Sequence, residues 1–451
     1  MDGCRPSKVF VFAVCVHLLM VASAPVWGQT AGGPTLFSPT TLRGSIEPLT
    51  ESHRLQMQTV TVDATVFGGP VPHPERSAPK LSLTLFDDHE VTVIREAVFT
   101  NPSGSLSWTG KAEHDPLSSV VFVTRGGITV GSIRIDGRLT TLHSLGNGVH
   151  VLYEIDEDSP FYFEDPPTEV AFDPTITSTP TGGSSTLKST EADDGSILDL
   201  MVVYTPAARS GAGGTVAMEN LIDLGVTETN LSYANSLITP RLRLVHTEEV
   251  VYTSSGSSQT DRDRLRIDGD GFLDEVHPMR DAYAADLVKL VVEPVYCGIA
   301  YIMTTVSTSF EEYAFCVTSR GCISPNYTFG HELGHIQSAR HDWFVDSTNN
   351  SPYTYNHGFV DPADNWRTVM AYSNDCGGCT RTLYWSNPAV LHPWTSTATG
   401  IPEGSANAAD NHKTLNNTAW TVANFRDSSA LGIFADGFES GDTSEWTATN
   451  P

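Results

Sequence analysis

The stretch Gly330-His331-Glu332-Leu333-Gly334-His335 sets two imidazoles four residues apart, with a carboxylate beside the first. On a helix, positions i and i+4 share a face, so His331 and His335 can bind one ion while Glu332 stays close to its open side. Imidazole ligands suit zinc, and a carboxylate beside zinc-activated water is the equipment of a hydrolase. A third histidine, His341, follows six residues after His335. It reaches the same ion only if the chain leaves the helix and reverses, a turn that usually needs a left-handed residue. Three neutral histidine ligands leave one position for water, whose proton Glu332 would take and hand to a leaving group.

The run from His331 to Asp342 resembles the metzincin zinc peptidases, whose signature is HExxHxxGxxH, and Asp342 directly after the third histidine is similar to the reprolysin or adamalysin branch. Ser338 stands where the signature has its turn glycine, at a cost of about 1–2 kcal/mol if the backbone there is left-handed. Further on, Thr368-Val369-Met370-Ala371-Tyr372 resembles the methionine turn of these enzymes, which implies that Met370 lies beneath the metal. Astacins and serralysins carry a tyrosine two residues after that methionine. The likeness implies that Tyr372 can approach zinc or the oxyanion, with a structural tyrosine as the alternative. Three further stretches look like parts of the same group: Asp199 to Pro206 its opening strand, Cys297 to Tyr301 its substrate-pairing edge strand, and Tyr384 to Pro388 a loop of its bacterial members. The resemblance spans about 197–426. It implies an α/β (α+β) catalytic domain with a twisted mixed sheet and a zinc-binding active-site helix, acting as an endopeptidase on proteins or peptides with Glu332 as general base. Two other classes remain open, a zinc hydrolase of a non-peptide substrate and an inactive binding or adhesion protein on the same scaffold.

The elements that must hold these groups divide the chain. Between Thr30 and Asp173, short β-branched runs broken by turns (Leu81 to Phe86, Val91 to Ile94, Val120 to Thr124, Ile128 to Ile135, Val149 to Ile155) predict an all-β unit. A Thr, Ser, Pro and Gly stretch over 173–196 predicts a protease-accessible linker. Beyond it, Leu198 to Tyr204 and Leu287 to Val292 read as buried strands and Arg241 to Glu248 as an alternating strand. Helical spacing runs over Val216 to Asn235, Asp274 to Ala285 and Ala408 to Arg426. The expected organisation is a signal peptide over 1–28, a β-rich propeptide domain over 29–172, the linker over 173–196, the metallopeptidase domain over 197–427 and an acidic tail over 428–451.

Arg5 and Lys8 followed by the apolar run Val9 to Ala22 have the charge and length of a secretory signal, too short to span a bilayer comfortably. A β-unit, a cleavable linker and then a protease unit make the order of a zymogen. Relatives often stay latent through a propeptide cysteine, but there is none between Gln29 and Ser196, so the first unit must cover the cleft by another contact or serve as a folding aid. After the signal, Cys297, Cys316, Cys322, Cys376 and Cys379 remain, all in the second half. In an oxidising compartment most would pair, and Cys376-Gly-Gly-Cys379 reads as a local staple.

With 53 acidic and 26 basic side chains the chain carries −27, which repels nucleic acid and anionic membranes. No stretch beyond the signal reads as a membrane span, and a monomer is expected. The cluster Asp268-Gly-Asp270-Gly-Phe-Leu-Asp274-Glu275 invites a calcium reading but lacks EF-hand spacing. Its alternative is a turn leading into an acidic helix start, with Asp274 or a neighbour as cap.

Overall fold

The computed structural model describes residues 33–40, 54–69, 73–157, 159, 162, 164–170, 193–293 and 296–427. The stretches read as a signal and an acidic tail, and most of the one read as a linker, lie outside the described residues.

In the first unit, alternating and β-branched segments form strands Phe37–Pro39 (β1), Arg54–Val62 (β2), Lys80–Thr84 (β3), Glu90–Thr100 (β4), Leu106–Ala112 (β5), Ser119–Arg125 (β6), Ile128–Ile135 (β7), Arg138–Gly146 (β8) and Val149–Ile155 (β9). They make one antiparallel sheet in the order β1-β2-β9-β8-β7-β6-β5-β4-β3. A bridge between Thr35 and Ser82 joins its two ends, with Leu36 N donating to Ser82 O and Ser82 N to Pro34 O at 2.9 Å each. The sheet is thereby closed into a barrel, which removes exposed edges. Phe37, Phe67 and Trp108 surround Phe122 inside it, with ring centroids 5.9, 6.2 and 6.1 Å from the Phe122 ring.

Thr168–Glu169 (β10), from the segment before the linker, joins the edge of the second unit's sheet, which is built on Ile197–Tyr204 (β11), Arg241–Glu249 (β12), Leu287–Val292 (β13), Gly298–Ile302 (β14) and Phe315–Ser319 (β15), ordered β10-β14-β15-β13-β11-β12. The sheet is mixed. β14 runs antiparallel to β15, and every other pair is parallel. Strands β11 and β13 are buried on both faces, which is why they read as unbroken apolar runs. Helices Pro206–Ala212 (α1), Thr215–Asn235 (α2), Ser258–Arg266 (α3), Val276–Ala282 (α4), Thr328–Ile336 (α5) and Asn411–Ala423 (α6) pack around this sheet, and Val360–Asp361 (β16), Trp366–Arg367 (β17) and Thr380–Arg381 (β18) form a small second one.

The β-rich first unit and the mixed second sheet match the sequence reading, with corrections at the ends of elements. The helix expected over Asp274 to Ala285 is only Val276–Ala282. Asp274 accepts from Gly269 N at 2.9 Å and Gly271 N at 3.1 Å, so it closes the preceding turn and does not cap the helix, while Ala284 is left-handed at φ 46°. The closing helix runs over Asn411–Ala423 because Ala409 is still bridged to Ile401 and Asp410 is the cap, accepting from Lys413 N. Helix α3 escaped the sequence reading because Ser-Gln-Thr-Asp-Arg-Asp-Arg-Leu-Arg is charged with almost no apolar period; Ser257 caps it.

Helix α2 couples the two units. Its Asn220 donates to Ile128 O at 3.0 Å, Ser105 donates to its Asp223 at 2.6 Å, and Ser107 bonds its Thr227 at 2.9 Å. Val121, Val123 and Val130 of the barrel join the core of the second unit alongside Leu221 and Leu224.

Candidate metal centre and cleft

Helix α5 brings His331 and His335 to one face, fully buried. After Ile336 the chain reverses at Ser338, which adopts φ 73° and is held there by its hydroxyl donating to Met303 O and by Asn356 donating to its carbonyl, each at 2.7 Å. This turn returns His341 to the helix face. Its Nε2 lies 3.0 Å from His331 Nε2 and 3.1 Å from His335 Nε2. The Nδ1–H of His331 donates to Val369 O at 3.0 Å and that of His335 to Ala339 O at 2.7 Å, which leaves their Nε2 lone pairs pointing at one another. Burial pushes His331 down to about 3 and holds His335 and His341 well below the ordinary histidine value, so all three are neutral at neutral pH. Three converging lone pairs with no proton between them fit a cation, and among the described residues this is the one cluster of metal-ligating side chains.

Glu332 lies on the same helix turn, with neither carboxylate oxygen hydrogen-bonded. Burial pushes its carboxyl well above the usual range, opposed by the buried Lys289 ammonium. Room for it depends on Gly298 at the start of β14, where a Cβ would fall 2.5 Å from Glu332 Oε1. Met370 is fully buried under the helix, so close that a Cβ on Gly334 would lie 3.0 Å from its sulfur. The Tyr372 ring centroid is 4.2 Å from that of His341, and Asp342 accepts from Tyr372 N at 2.8 Å. His357, which the sequence left unassigned, bonds the carbonyls of His341 and Thr348 at 2.7 Å each and so braces the third histidine from behind. The acidic 268–275 loop stands apart from this centre. Its Asp270 and Asp274 carboxylates accept from amides of their own loop, and calcium finds no support there.

Disulfide Cys297–Cys322 ties the edge strand β14 to the approach to α5, Cys376–Cys379 closes the loop after Tyr372, and Cys316 is free and buried. What the sequence did not reveal is the occupant of the cleft. Residues 164–170 lie along β14, with Asp165 N donating to Gly298 O at 3.0 Å and Thr168 and Glu169 in parallel register with Tyr301 and Ile302. Arg262 donates to Thr168 Oγ1 at 2.6 Å, and Arg340 pairs with Glu169 at 2.7 Å. The Tyr372 hydroxyl donates to Glu164 O at 2.8 Å. Nothing in the local sequence around Glu164, Asp-Pro-Pro included, signals this position.

A mixed sheet, a helix with two histidines, a returning third one and an unpaired glutamate define a metallopeptidase. Residues 195–386 match the model of the metallo-peptidase family M12, Reprolysin_5. A peptidyl-Asp metalloendopeptidase of Stenotrophomonas maltophilia is 36% identical over 413 residues, 87% of this chain and 94% of that one. Its namesake in Xanthomonas campestris pv. campestris is 32% identical over 439 residues, 93% and 98% of the two chains. Another in Pseudomonas fragi is 34% identical over 200 residues, 44% of this chain and the whole of that one. Among solved structures, metalloproteinase-II from Bacteroides fragilis aligns at a TM-score of 0.35 and 12% identity, covering 62% of this chain and 85% of the other. The chain belongs to the M12 metallopeptidases and is a zinc metalloendopeptidase, with proteins or peptides as substrates. The non-peptide hydrolase and the inactive binding protein are set aside.

Proposed function

We propose that this is an exported zinc endopeptidase, made as a zymogen and acting as a monomer, in which His331, His335 and His341 hold the metal and Glu332 is the general base. The observation that carries it is the convergence of three neutral imidazoles beside a buried carboxylate with no partner. When bound, zinc supplies Lewis acidity that polarises a carbonyl and acidifies water. Glu332 accepts the water's proton and returns it to the leaving amine, and its raised proton affinity suits both halves of that task. Met370 and the Asp342–Tyr372 bond keep the floor of the site rigid, and the Tyr372 hydroxyl donates to the oxyanion once Glu164 no longer takes its hydrogen bond. From the relatives' names we carry over a preference for bonds at aspartyl residues.

Latency, in this reading, comes from the 29–172 unit. Its segment 164–170 adds a strand to β14 and covers the histidines, a role open to a chain with no propeptide cysteine. The apolar start over 1–28 directs export, cleavage within 173–196 frees the 197–427 domain, and 428–451 is an acidic extension. Among the described residues, no helix is long and apolar enough to cross a membrane.

The test is a cleavage profile on a denatured protein mixture, with zinc content measured, for wild type and Glu332→Gln. Equal zinc with a loss of about 10²–10⁴ in rate is expected for the variant; equal turnover would remove Glu332 from the mechanism. Latency fails if the uncut chain hydrolyses a peptide as fast as the chain cut in the linker.

A further inference from the structure

The cleft holds a buried ion pair that the hydrolytic chemistry does not use. Glu164 Oε1 lies 2.6 Å from Arg381 Nη1 and accepts from Thr328 Oγ1 at 2.7 Å, and Oε2 lies 3.3 Å from Arg381 Nη2. Both side chains are 1% exposed. Arg381 belongs to β18, immediately after the Cys376–Cys379 loop, and its remaining bonds run to Asn326 O at 2.7 Å and to Ala371 O, next to Met370, at 3.0 Å. Arg367 donates to the same Ala371 carbonyl at 2.8 Å. Two guanidinium groups therefore share the floor of this pocket. Among the described residues, the one carboxylate in an ion pair with either of them is Glu164, which comes from the other unit.

The pocket opens beside the reacting atoms. Glu164 offers its carboxylate to Arg381 and its own carbonyl to Tyr372, whose ring lies on His341. The next residue bonds Gly298, against which Glu332 rests. A peptide residue bound in the same way would have its backbone beside the three histidines and its side chain against Arg381.

We propose that Arg381 is the specificity-determining residue of this peptidase, selecting an acidic side chain next to the scissile bond, and that Glu164 is the chain's own occupant of that pocket. The inference rests on the peptidase reading and gives its aspartyl preference a physical origin. When the 164–170 segment leaves, a buried guanidinium loses its counter-charge. A substrate carboxylate restores the pair, whereas an amide or a lysine leaves the charge uncompensated. The Thr328 hydroxyl and the two guanidinium NH groups hold the carboxylate at fixed points, which a carboxamide satisfies only in part.

The experiment compares wild type and Arg381→Gln, each as the zinc-loaded full chain cut in the linker, on matched peptides carrying Asp or Asn at the cleavage position. Wild type is expected to favour Asp by about a hundredfold in kcat/KM, and Arg381→Gln to lose that ratio mainly by losing the Asp peptide. An undiminished Asp preference in the variant overturns the proposal. Because Arg381 is buried and its variant can fail to fold, a second measurement leaves the pocket intact: binding of synthetic 160–170 peptide, with and without Glu164→Gln, to the cut wild-type chain by fluorescence anisotropy. Tighter binding of the Glu form by about a hundredfold supports the pocket, and equal binding refutes it. The two readings fail separately. A wild type that cleaves without acidic preference refutes the role of Arg381 alone; one that cleaves nothing yet binds the Glu peptide selectively refutes the peptidase and keeps the pocket.

Discussion

Two of the places where the barrel touches the protease unit differ in character. Along α2 it makes a broad platform of packed valines and hydroxyl-to-carboxylate bonds, reaching from Asn220 to Glu228. In the cleft it extends a single strand, held by main-chain bonds, Arg262, Arg340 and the buried Glu164–Arg381 pair. The platform buries apolar area, which is the source of affinity, and touches none of the catalytic groups. A buried ion pair gives little net affinity, because desolvation offsets its attraction, but it discriminates strongly among occupants. If the strand blocks the cleft as proposed, docking and blocking are separable, and each can be disturbed without the other.

The largest expected effect leaves both contacts standing and removes the chemistry. His335→Ala should lose stoichiometric zinc and nearly all turnover, as should chelation of wild type, while the barrel stays docked on the uncut chain; zinc analysis beside limited proteolysis of the uncut chain checks both. Retained zinc at wild-type affinity would take His335 out of the ligand set. Next, Glu164→Ala breaks the blocking contact alone. The uncut chain should gain peptidase activity by about tenfold or more, because an unpaired buried Arg381 disfavours the strand in the cleft. An uncut variant as silent as wild type would mean that the platform, or the strand's main-chain bonds, suffice.

The platform has its own handle in Glu228, whose carboxyl burial pushes up to about 8 from its ordinary 4.5. A carboxyl with a raised folded value binds its proton more tightly in the fold than in the unfolded chain, so its burial is tolerated below about pH 4.5 and progressively destabilises the fold as pH rises towards 8. Glu228→Gln should accordingly raise the denaturation midpoint more at pH 8 than at pH 5. Equal shifts at the two values would show that Glu228 is ionised in the fold. The smallest effect is expected at Ser338→Gly. Relief of about 1–2 kcal/mol of left-handed strain is offset by the lost bond to Met303 and by glycine's greater freedom when unfolded, so stability should change by less than about 1 kcal/mol, read from chemical denaturation.

Much of the protease unit was legible because its signals are local. Leu287–Val292 is a mostly apolar run buried at every position, and the α2 segment is a long helix buried on most of its surface. His331 and His335 sit one helical turn apart, and their convergence needed only that α5 form. Less was legible where partners are distant: the closure of the barrel through Thr35 and Ser82, the choice of Cys322 for Cys297, and helix α3, whose charged sequence is stabilised by Ser257 and by packing beneath β14 and β15. The calcium reading of the 268–275 loop gained no support for a related reason. Carboxylates around glycines look like ligands until the loop's own amides are seen to take them.

By itself, the sequence determined the metal chemistry, since helix geometry converts the spacing of His331, Glu332 and His335 into a shared face without help from the rest of the chain. Only the tertiary structure decided what fills the cleft and what lines it. Glu164 and Arg381 are 217 positions apart, on two units that fold around different cores, and no local pattern encodes their meeting. Docking along α2 brings them together, and burial makes the encounter selective.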